Sequence, residues 1–294
     1  MKGLSQEEKE YLAAYNIANY ERPSVAADIV VLSVMEEEKR SNIRKQPKRD
    51  LKVLLVKRGK YPFQNSWAMP GGFCRPNEDV IDTARRELYE ETNVENAYLT
   101  LVGVFGEAGR DPRGWIISNT FLALIDGNQY QLRAGTDAWE AAWFGVTLEV
   151  CPKEEATGEQ ISEYLLTLTN EELDIKLTAR VQEKRRYLNY HEQVSYAIVE
   201  QEGLAFDHGK IIVNAILQLR EEVEHDAKRA FDLLPEYFTM NMLQNVNEIV
   251  LDRPLLTPNF RRKNQEYVIE TEQMLEGEGF RPAKLFKRNL ELFH

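Results

Sequence analysis

The chain has 294 residues, enough for about two domains that each bury a core, and its 43% of hydrophobic residues excludes a disordered chain. No apolar run reaches the ~18 residues that cross a bilayer, and no apolar stretch at the start resembles a signal peptide, so we expect a cytoplasmic protein without a membrane partner. The net charge of −11 argues against nucleic-acid binding by the chain as a whole, and two cysteines cannot form a disulfide framework.

The first part of the chain alternates predicted strands and helices. Ser5 and Glu8 form a capping-box pattern, which predicts a helix from Gln6 to Asn19. β-branched and apolar runs further on predict strands, and an amphipathic run after a Pro-Gly-Gly turn predicts a second helix. The strands are predicted at 24–34, 51–57, 99–105, 116–125 and 139–146, and the helix at 78–92. This alternation is typical of an α/β or α+β sandwich.

Residues 148–203 read as a strand-rich insertion. Asp174–Gln182 alternates between apolar and polar residues, and the segment 194–198 repeats the pattern. After the insertion, Asp207 stands at an N-cap position, and apolar residues on one face predict a helix that closes the first domain at residue 225.

The predicted helix 78–92 carries an unusual cluster of acidic residues. Glu87, Glu90 and Glu91 are spaced i, i+3 and i+4, so their carboxylates share one face. Such a face is either fully solvated or holds cations, and carboxylate oxygens suit Mg²⁺ or Mn²⁺, which bring phosphate oxygens with them. Arg86 lies beside the cluster, where it can pair with Glu78 and hold the geometry of the site.

The residues from Gly72 to Val94 resemble the signature of Nudix hydrolases, G-x5-E-x7-R-E-U-x-E-E-x-G-U, where U is aliphatic. Six of the seven fixed positions match, and both aliphatic positions match as well. Asn93 stands where the family has glycine. Asparagine also tolerates the left-handed conformation that this position requires, so we expect a small loss of stability and unchanged metal binding.

The resemblance implies hydrolysis of the diphosphate in a nucleoside diphosphate linked to another group. It implies that Mg²⁺ or Mn²⁺ is held by Glu87, Glu90, Glu91 and the carbonyl of Gly72, with Arg86 as the orienting cation. The general base of relatives comes from a loop outside the signature. Glu140 is the first candidate here and Asp137 the second, although a surface carboxylate between strands remains an equal alternative for Glu140.

Gly106–Leu124 resembles the corresponding stretch of ADP-ribose pyrophosphatases, in which a proline marks the loop that faces the nucleoside. Pro112 is that proline, and Arg110 or Arg113 could contact phosphate or ribose, although either could also be a solvated cation. Arg58 is a further expected substrate contact. The resemblance thus implies conversion of ADP-ribose to AMP and ribose 5-phosphate.

The last part of the chain differs in charge from the rest. Residues 226–294 hold 10 basic and 11 acidic side chains, against 27 and 37 in residues 1–225. Thr239 predicts the start of a helix over Met240–Val250, and Thr257 with Pro258 predicts the start of the next. Two short helices joined by a tight turn form a helix-turn-helix.

Two further strands predict a wing, at Val268–Leu275 and Phe280–Arg288, with a turn at 276–279. Phe260 and Asn264 share the core-facing stripe of the second helix, which leaves its cations exposed to a DNA groove. The expected DNA contacts are Asn259, Arg261, Arg262, Lys263 and Lys284. A winged helix can also be a protein-docking module, so the shape alone leaves both partners open.

Four segments, LAFDHGKII, LPEYFTMNMLQ, PNFRRK and GFRPAKLF, resemble Nudix-related transcriptional regulators of the NrtR type. The resemblance covers nearly the whole chain except 148–203. It implies a Nudix α/β/α sandwich over 1–225 with a strand-rich insertion, a winged helix-turn-helix over 226–294, and a homodimer that binds double-stranded DNA. Two hypotheses follow: a metal-dependent ADP-ribose pyrophosphatase that also binds DNA, and a regulator whose Nudix domain senses ADP-ribose with little or no turnover.

Overall fold

The computed structural model describes residues 3–36, 49–95, 97–130, 138–156, 159–188, 190–275 and 282–293. The α-helices in these ranges are α1 (Gln6–Ala14), α2 (Val80–Thr92), α3 (His208–His225), α4 (Met240–Leu251) and α5 (Thr257–Asn264). The strands are β1 (Ser24–Glu36), β2 (Arg49–Arg58), β3 (Trp67–Ala68), β4 (Gly71–Phe73), β5 (Leu99–Phe105), β6 (Ile116–Leu124), β7 (Ala138–Ala156), β8 (Glu159–Asn170), β9 (Ile175–Leu188), β10 (His191–Glu202), β11 (Val268–Leu275) and β12 (Ala283–Arg288). No helix in the described ranges is long and apolar enough to cross a membrane.

Ten strands form one mixed sheet, in the order β10-β9-β8-β7-β2-β1-β6-β5, with β3 paired to β2 and β4 paired to β1. Side chains of a strand point alternately to the two faces of a sheet. In β1, Ile29 and Val31 accordingly join the core under α2, whereas Val30 and Leu32 join the core under α3. Helices therefore cover both faces, and the predicted α/β/α sandwich is confirmed.

The strand-rich insertion continues this same sheet. β7, β8, β9 and β10 pair with one another in sequence as an antiparallel meander. The alternation predicted for 174–182 is confirmed, since Leu177, Ala179 and Val181 are buried in the core that α3 covers. Two features of this region were not predicted: β8 itself, and the extension of β7 by ten residues beyond the predicted end at 146. Both have the same physical reason, since β7 and β8 satisfy each other's backbone hydrogen bonds.

The first helix is shorter than predicted. Its capping box is present, with Ser5 Oγ accepting from the Glu8 amide at 3.1 Å and the Glu8 carboxylate accepting from the Ser5 amide at 2.6 Å. The helix ends at Ala14 instead of Asn19, because the Asn16 side chain accepts a hydrogen bond from the Ala18 amide and starts a separate 3₁₀ turn. No residue of α1 is buried, so no tertiary packing opposes the break.

The C-terminal elements form the predicted winged helix. α4 and α5 make the helix-turn-helix, and β11 pairs with β12 in the wing. The turn predicted at 276–279 lies outside the described residues. Thr257 is the first residue of α5 and not its cap, because its hydroxyl accepts a hydrogen bond from Gln244 Nε2 at 3.1 Å and Leu256 takes the cap position.

One hydrophobic core crosses the predicted domain boundary at residue 225. The same buried cluster contains residues from both sides of that boundary: Leu219, Val223, Phe231, Leu243, Val246 and Phe260. Arg220 of α3 adds a polar contact, since its Nε donates to the carbonyl of Val250 at 3.0 Å. The winged helix is therefore packed against α3, and the boundary itself stays a prediction.

Candidate functional site

A cavity of about 400 Å³ opens beside α2 and the glycine turn at Gly71 and Gly72. Acidic residues of α2 line it: Glu87, Glu90 and Glu91. Cations from other parts of the chain line it as well: Arg58, Arg75, Arg110 and Arg113. A cavity lined by both carboxylates and guanidinium groups can bind an anion directly and through a divalent cation.

Arg86 organises the glutamates of α2. Its Nε and Nη2 donate to Glu78 at 2.6 and 2.9 Å, as the spacing predicted, and its Nη1 donates to Glu87 at 2.5 Å and to Glu90 at 3.2 Å. The hydrogen bond from Arg86 is the main cause that lowers the pKa of Glu78 to about 2. Glu78 and Arg86 therefore stay charged as a fixed pair, and that pair orients the neighbouring carboxylates.

Glu91 lies deeper in the site than its neighbours. Its carboxylate accepts a hydrogen bond from the Gly71 amide at 3.0 Å. Burial, together with the negative charges of Glu87 and Asp28, raises the pKa of Glu91 to about 8 despite that bond. Burial also raises the pKa of Glu87. A divalent cation would favour the ionised form of both groups, so this set of oxygen donors fits Mg²⁺ or Mn²⁺.

Gly72 allows Glu87 to approach the backbone, because a Cβ at that position would collide with the Glu87 carboxylate. Among the described residues, no three His, Cys, Asp or Glu side chains already converge as a metal-ligand cluster. In the structure the Arg86 guanidinium bridges Glu87 and Glu90 instead. A cation shared by these two carboxylates has to replace those two hydrogen bonds, while the pair with Glu78 can persist.

Two of the expected substrate residues, Arg58 and Arg113, meet at the ring of Phe206. Their guanidinium carbons lie 4.8 and 5.2 Å from its centroid. Asp111 fixes Arg113 further, accepting from its Nε at 3.0 Å and its Nη2 at 2.6 Å. Burial lowers the pKa of Arg58, and the positive charge of Arg113 lowers it further. Both arginines are therefore held in the cavity.

The other two expected substrate residues are placed differently. Arg110 is only 5% exposed, and its Nε and Nη2 donate to Asp207, before the first residue of α3, at 3.1 and 2.7 Å. Pro112 is exposed and is not among the residues that line the cavity. Arg110 thus lines the cavity as a neutralised anchor between its loop and α3.

The structure does not bring Glu140 into this cavity. It lies directly opposite Lys57 in the register of β2 and β7, and its carboxylate is 3.7 Å from Lys57 Nζ. It lines a separate cavity of about 640 Å³ together with Trp143 and Asn170. Asp137 lies outside the described residues. The geometry therefore does not support Glu140 as the base, and the base stays unassigned.

Several residues that line the cavity were not identified from the sequence, among them Asp28, Phe206 and His208. His208 is buried, its Nδ1 accepts from the Met69 amide at 3.0 Å, and burial lowers its pKa, so it stays neutral. A signal existed for Asp28, which is the only charged residue between Ser24 and Met35. Phe206 and His208 belong to the segment LAFDHGKII, but only the fold brings them to the cavity.

A second surface of interest lies on α5. Phe260 and Asn264 are buried, as their helical stripe predicted. The polar residues between them and beside them are exposed: Asn259, Arg261, Arg262 and Lys263. Arg261 is oriented by a hydrogen bond from its Nη2 to Asn241 Oδ1 at 3.0 Å. The helix therefore presents three consecutive cations to solvent.

Lys284, the expected DNA contact in the wing, has a different environment. Its ammonium forms an ion pair with Glu270 on the neighbouring strand β11. Glu272 adds a further negative charge to the same strand. The positive charge of Lys284 is therefore compensated, and α5 carries the stronger basic surface.

Comparison with known proteins gives two family matches. The NUDIX domain matches residues 40–165, and the NrtR DNA-binding winged helix domain matches residues 230–287. The first match contains the glutamates of α2, and the second contains α4, α5 and β11.

Individual proteins are similar over both regions. The chain is 29% identical to the ADPR responsive transcriptional repressor NtrR of Acinetobacter baylyi, over 97% of this chain and 89% of the repressor. It is 42% identical to the ADP-ribose pyrophosphatase of Methanocaldococcus jannaschii, over 33% of this chain and 56% of the enzyme. The crystal structure of a MutT/nudix family protein from Enterococcus faecalis matches with a TM-score of 0.65 at 27% identity, covering 98% of this chain and 100% of that protein.

Proposed function

We propose that this chain, whose residues 40–165 match the NUDIX domain and whose residues 230–287 match the NrtR DNA-binding winged helix domain, hydrolyses ADP-ribose to AMP and ribose 5-phosphate. The observation that carries the proposal is the complete set of glutamates around Arg86, facing a cavity that also holds Arg58 and Arg113. ADP-ribose is the substrate class because two similar proteins, a repressor and a pyrophosphatase, are named for it.

In the proposed mechanism, Glu87, Glu90, Glu91 and the carbonyl of Gly72 would hold Mg²⁺ or Mn²⁺. A bound divalent cation supplies charge neutralisation on the diphosphate and a lower pKa for the attacking water. Arg86 orients the glutamates through its pair with Glu78.

In the remaining steps the arginines that line the cavity contact the substrate. Arg58 and Arg113 donate to phosphate oxygens and so stabilise the charge of the transition state. Water adds to one phosphorus while the bond between that phosphorus and the bridging oxygen breaks. The hydroxyl of the water stays on the attacked phosphorus, its other proton is released to solvent, and the products are two monophosphates, AMP and ribose 5-phosphate.

A second candidate function is a transcription regulator whose cavity senses ADP-ribose with little or no turnover. The exposed cations of α5 favour it, as does the similarity to a repressor, which is 29% identical over 97% of this chain. In this case double-stranded DNA binds through Asn259 and the adjacent cations 261–263. A homodimer would place two copies of α5 on paired half-sites.

The deciding experiment incubates the full chain with ADP-ribose and Mg²⁺ or Mn²⁺ and measures AMP by chromatography. The hydrolase proposal expects AMP, and expects none in EDTA. ADP-ribose binding without AMP would select the sensor. Absence of both binding and turnover would contradict both functions.

A further inference from the structure

Phe206 occupies a constrained position in the cavity. It lies in the left-handed region with φ +51°, and its ring is 4.8 Å from the ring of Phe63, which has φ +59°. Phenylalanine rarely adopts this conformation, because its Cβ crowds the backbone. Two such residues in ring contact show that the surrounding packing fixes where both rings lie.

The ring of Phe206 is shared by two cations. Arg58 and Arg113 lie 4.8 and 5.2 Å from its centroid, and Arg113 is also 5.0 Å from the ring of Phe73. Two positive charges in one cavity repel each other, and burial adds to that cost. The negative face of an aromatic ring attracts each guanidinium and offsets part of this repulsion. Phe206 thus stabilises an arrangement that the two arginines alone would avoid.

Both arginines keep unused hydrogen-bond donors. Asp111 accepts from Nε and Nη2 of Arg113, and the carbonyl of Pro62 accepts from Nε of Arg58 at 2.9 Å. Within the described part of the chain, Nη1 of Arg113 and both Nη atoms of Arg58 have no hydrogen-bond partner. These donors are available to an anion that enters the cavity.

We propose that Phe206 is a positioning residue that holds Arg58 and Arg113 together as a clamp for two adjacent phosphates. The inference rests on the proposed function of this cavity as a nucleotide site. It adds that the paired arginines held by Phe206 are the cause of the preference for a diphosphate. A monophosphate engages only part of the clamp, whereas a diphosphate engages both guanidinium groups. The cavity therefore selects ADP and ADP-ribose over AMP through Phe206, which itself touches no reacting atom.

The test measures the dissociation constants of ADP and AMP by calorimetry in EDTA, with the full chain and two variants. Phe206→Leu removes the ring face without adding a β-branch, so the left-handed backbone is no more strained. Phe206→Tyr keeps the ring face and serves as the conservative rescue. We expect ADP to bind the wild type about tenfold tighter than AMP, a ratio that Phe206→Leu reduces severalfold and Phe206→Tyr retains.

Phe293→Leu, a change in the aromatic cluster of the winged helix, is the matched control and should leave both constants unchanged. An unchanged ADP-to-AMP ratio in Phe206→Leu overturns the clamp, as does an equal loss for both nucleotides, which indicates a structural role only. If Phe206→Leu does not fold, Arg113→Gln must lower the same ratio, and a retained ratio overturns the clamp. Failure of the wild type to bind ADP or ADP-ribose instead refutes the proposed function.

Discussion

Glu90 and Glu91 are neighbours in α2 but lie in different environments. The Glu90 side chain is 40% exposed and contacts Arg75 and Arg86. Glu91 is buried against the Gly71 amide and has a pKa raised to about 8. Substituting each by glutamine removes an ionisable carboxyl group, yet the two variants should differ in stability because only the carboxyl group of Glu91 is buried.

We expect Glu91→Gln to match the wild type in stability near pH 5 and to exceed it at pH 8 in the absence of metal. The pKa of Glu91 is higher in the folded chain than the ordinary value of 4.5. The preference of the folded chain for the protonated carboxyl therefore adds to the free energy of unfolding, fully below about pH 4.5, and this stabilisation is lost as the pH rises through about 8. The loss is on the order of a few kcal/mol. Urea denaturation in EDTA at both pH values measures it, and parallel behaviour of the two proteins would contradict the burial of this charge.

Glu90→Gln is expected to lower turnover of ADP-ribose by about two orders of magnitude or more, with an intact fold. The physical reason is the loss of a charged ligand that acts mainly in the transition state. Steady-state kinetics with Mg²⁺ measures the loss. The same change at the exposed Glu95, which does not line the cavity, is the control and should leave turnover unchanged. Undiminished turnover in Glu90→Gln would sink the metal-site assignment.

At the scale of elements, α5 and the wing differ in their suitability for DNA. Arg262 is exposed and forms no ion pair with any residue that the structure describes. Lys284 already has Glu270 as its partner. A cation that must first leave an ion pair contributes less to binding a phosphate than a free one. The helix should therefore dominate the affinity for DNA.

Arg262→Ala is expected to weaken specific DNA binding by about 1–3 kcal/mol if the side chain reads a base edge, and Lys284→Ala by less. The affinity should also fall steeply with salt. Fluorescence anisotropy at several salt concentrations measures both variants. A larger loss for Lys284→Ala would place the main contact in the wing. Point variants are preferable to deletion of residues 226–294, which would expose the core face of α3 at Leu219 and Val223.

At the scale of the whole molecule, α3 joins the cavity to the winged helix. At its start, Asp207 binds Arg110 and lies 3.5 Å from Lys210 Nζ, beside the cavity. Near its end, Arg220 donates to the Val250 carbonyl of α4 at 3.0 Å. A rigid helix with one end at each site is a physical route by which one ligand can bias the other.

We therefore expect ADP-ribose to change DNA affinity even in the Glu90→Gln protein, in which hydrolysis is blocked. Coupling between two ligands is reciprocal, so an effect of ~1–3 kcal/mol on DNA binding must shift the affinity for ADP-ribose by the same factor. DNA titrations of this variant with and without saturating ADP-ribose measure the coupling. Identical curves would mean that the two parts act independently, and that the winged helix is an accessory domain of a simple enzyme.

Local pattern was enough for several features that lie within a single helix. The acidic face of α2 follows from the helical period over Glu87–Glu91. The left-handed conformation of Asn93 at the helix end was predicted because asparagine tolerates it at the position where the signature has glycine. The buried stripe of α5 follows from the same period at Phe260 and Asn264. Such features depend on residues a few positions apart, whose relative placement is set once the helix forms.

Contacts between distant segments were decided only by the tertiary structure. Phe206 meets Arg58 and Arg113 because the end of β2, the loop before β6 and the start of α3 converge at one end of the central strands. Glu140 pairs with Lys57 because of a cross-strand register that no local pattern encodes. The shared core of α3 and the winged helix likewise depends on packing between two apolar surfaces. The apolar periodicity of each element predicts that its surface is buried, but it does not identify the element that covers it. Composition and period determine which residues are hidden and which carry charge, whereas partners are selected by the free energy of packing the whole chain.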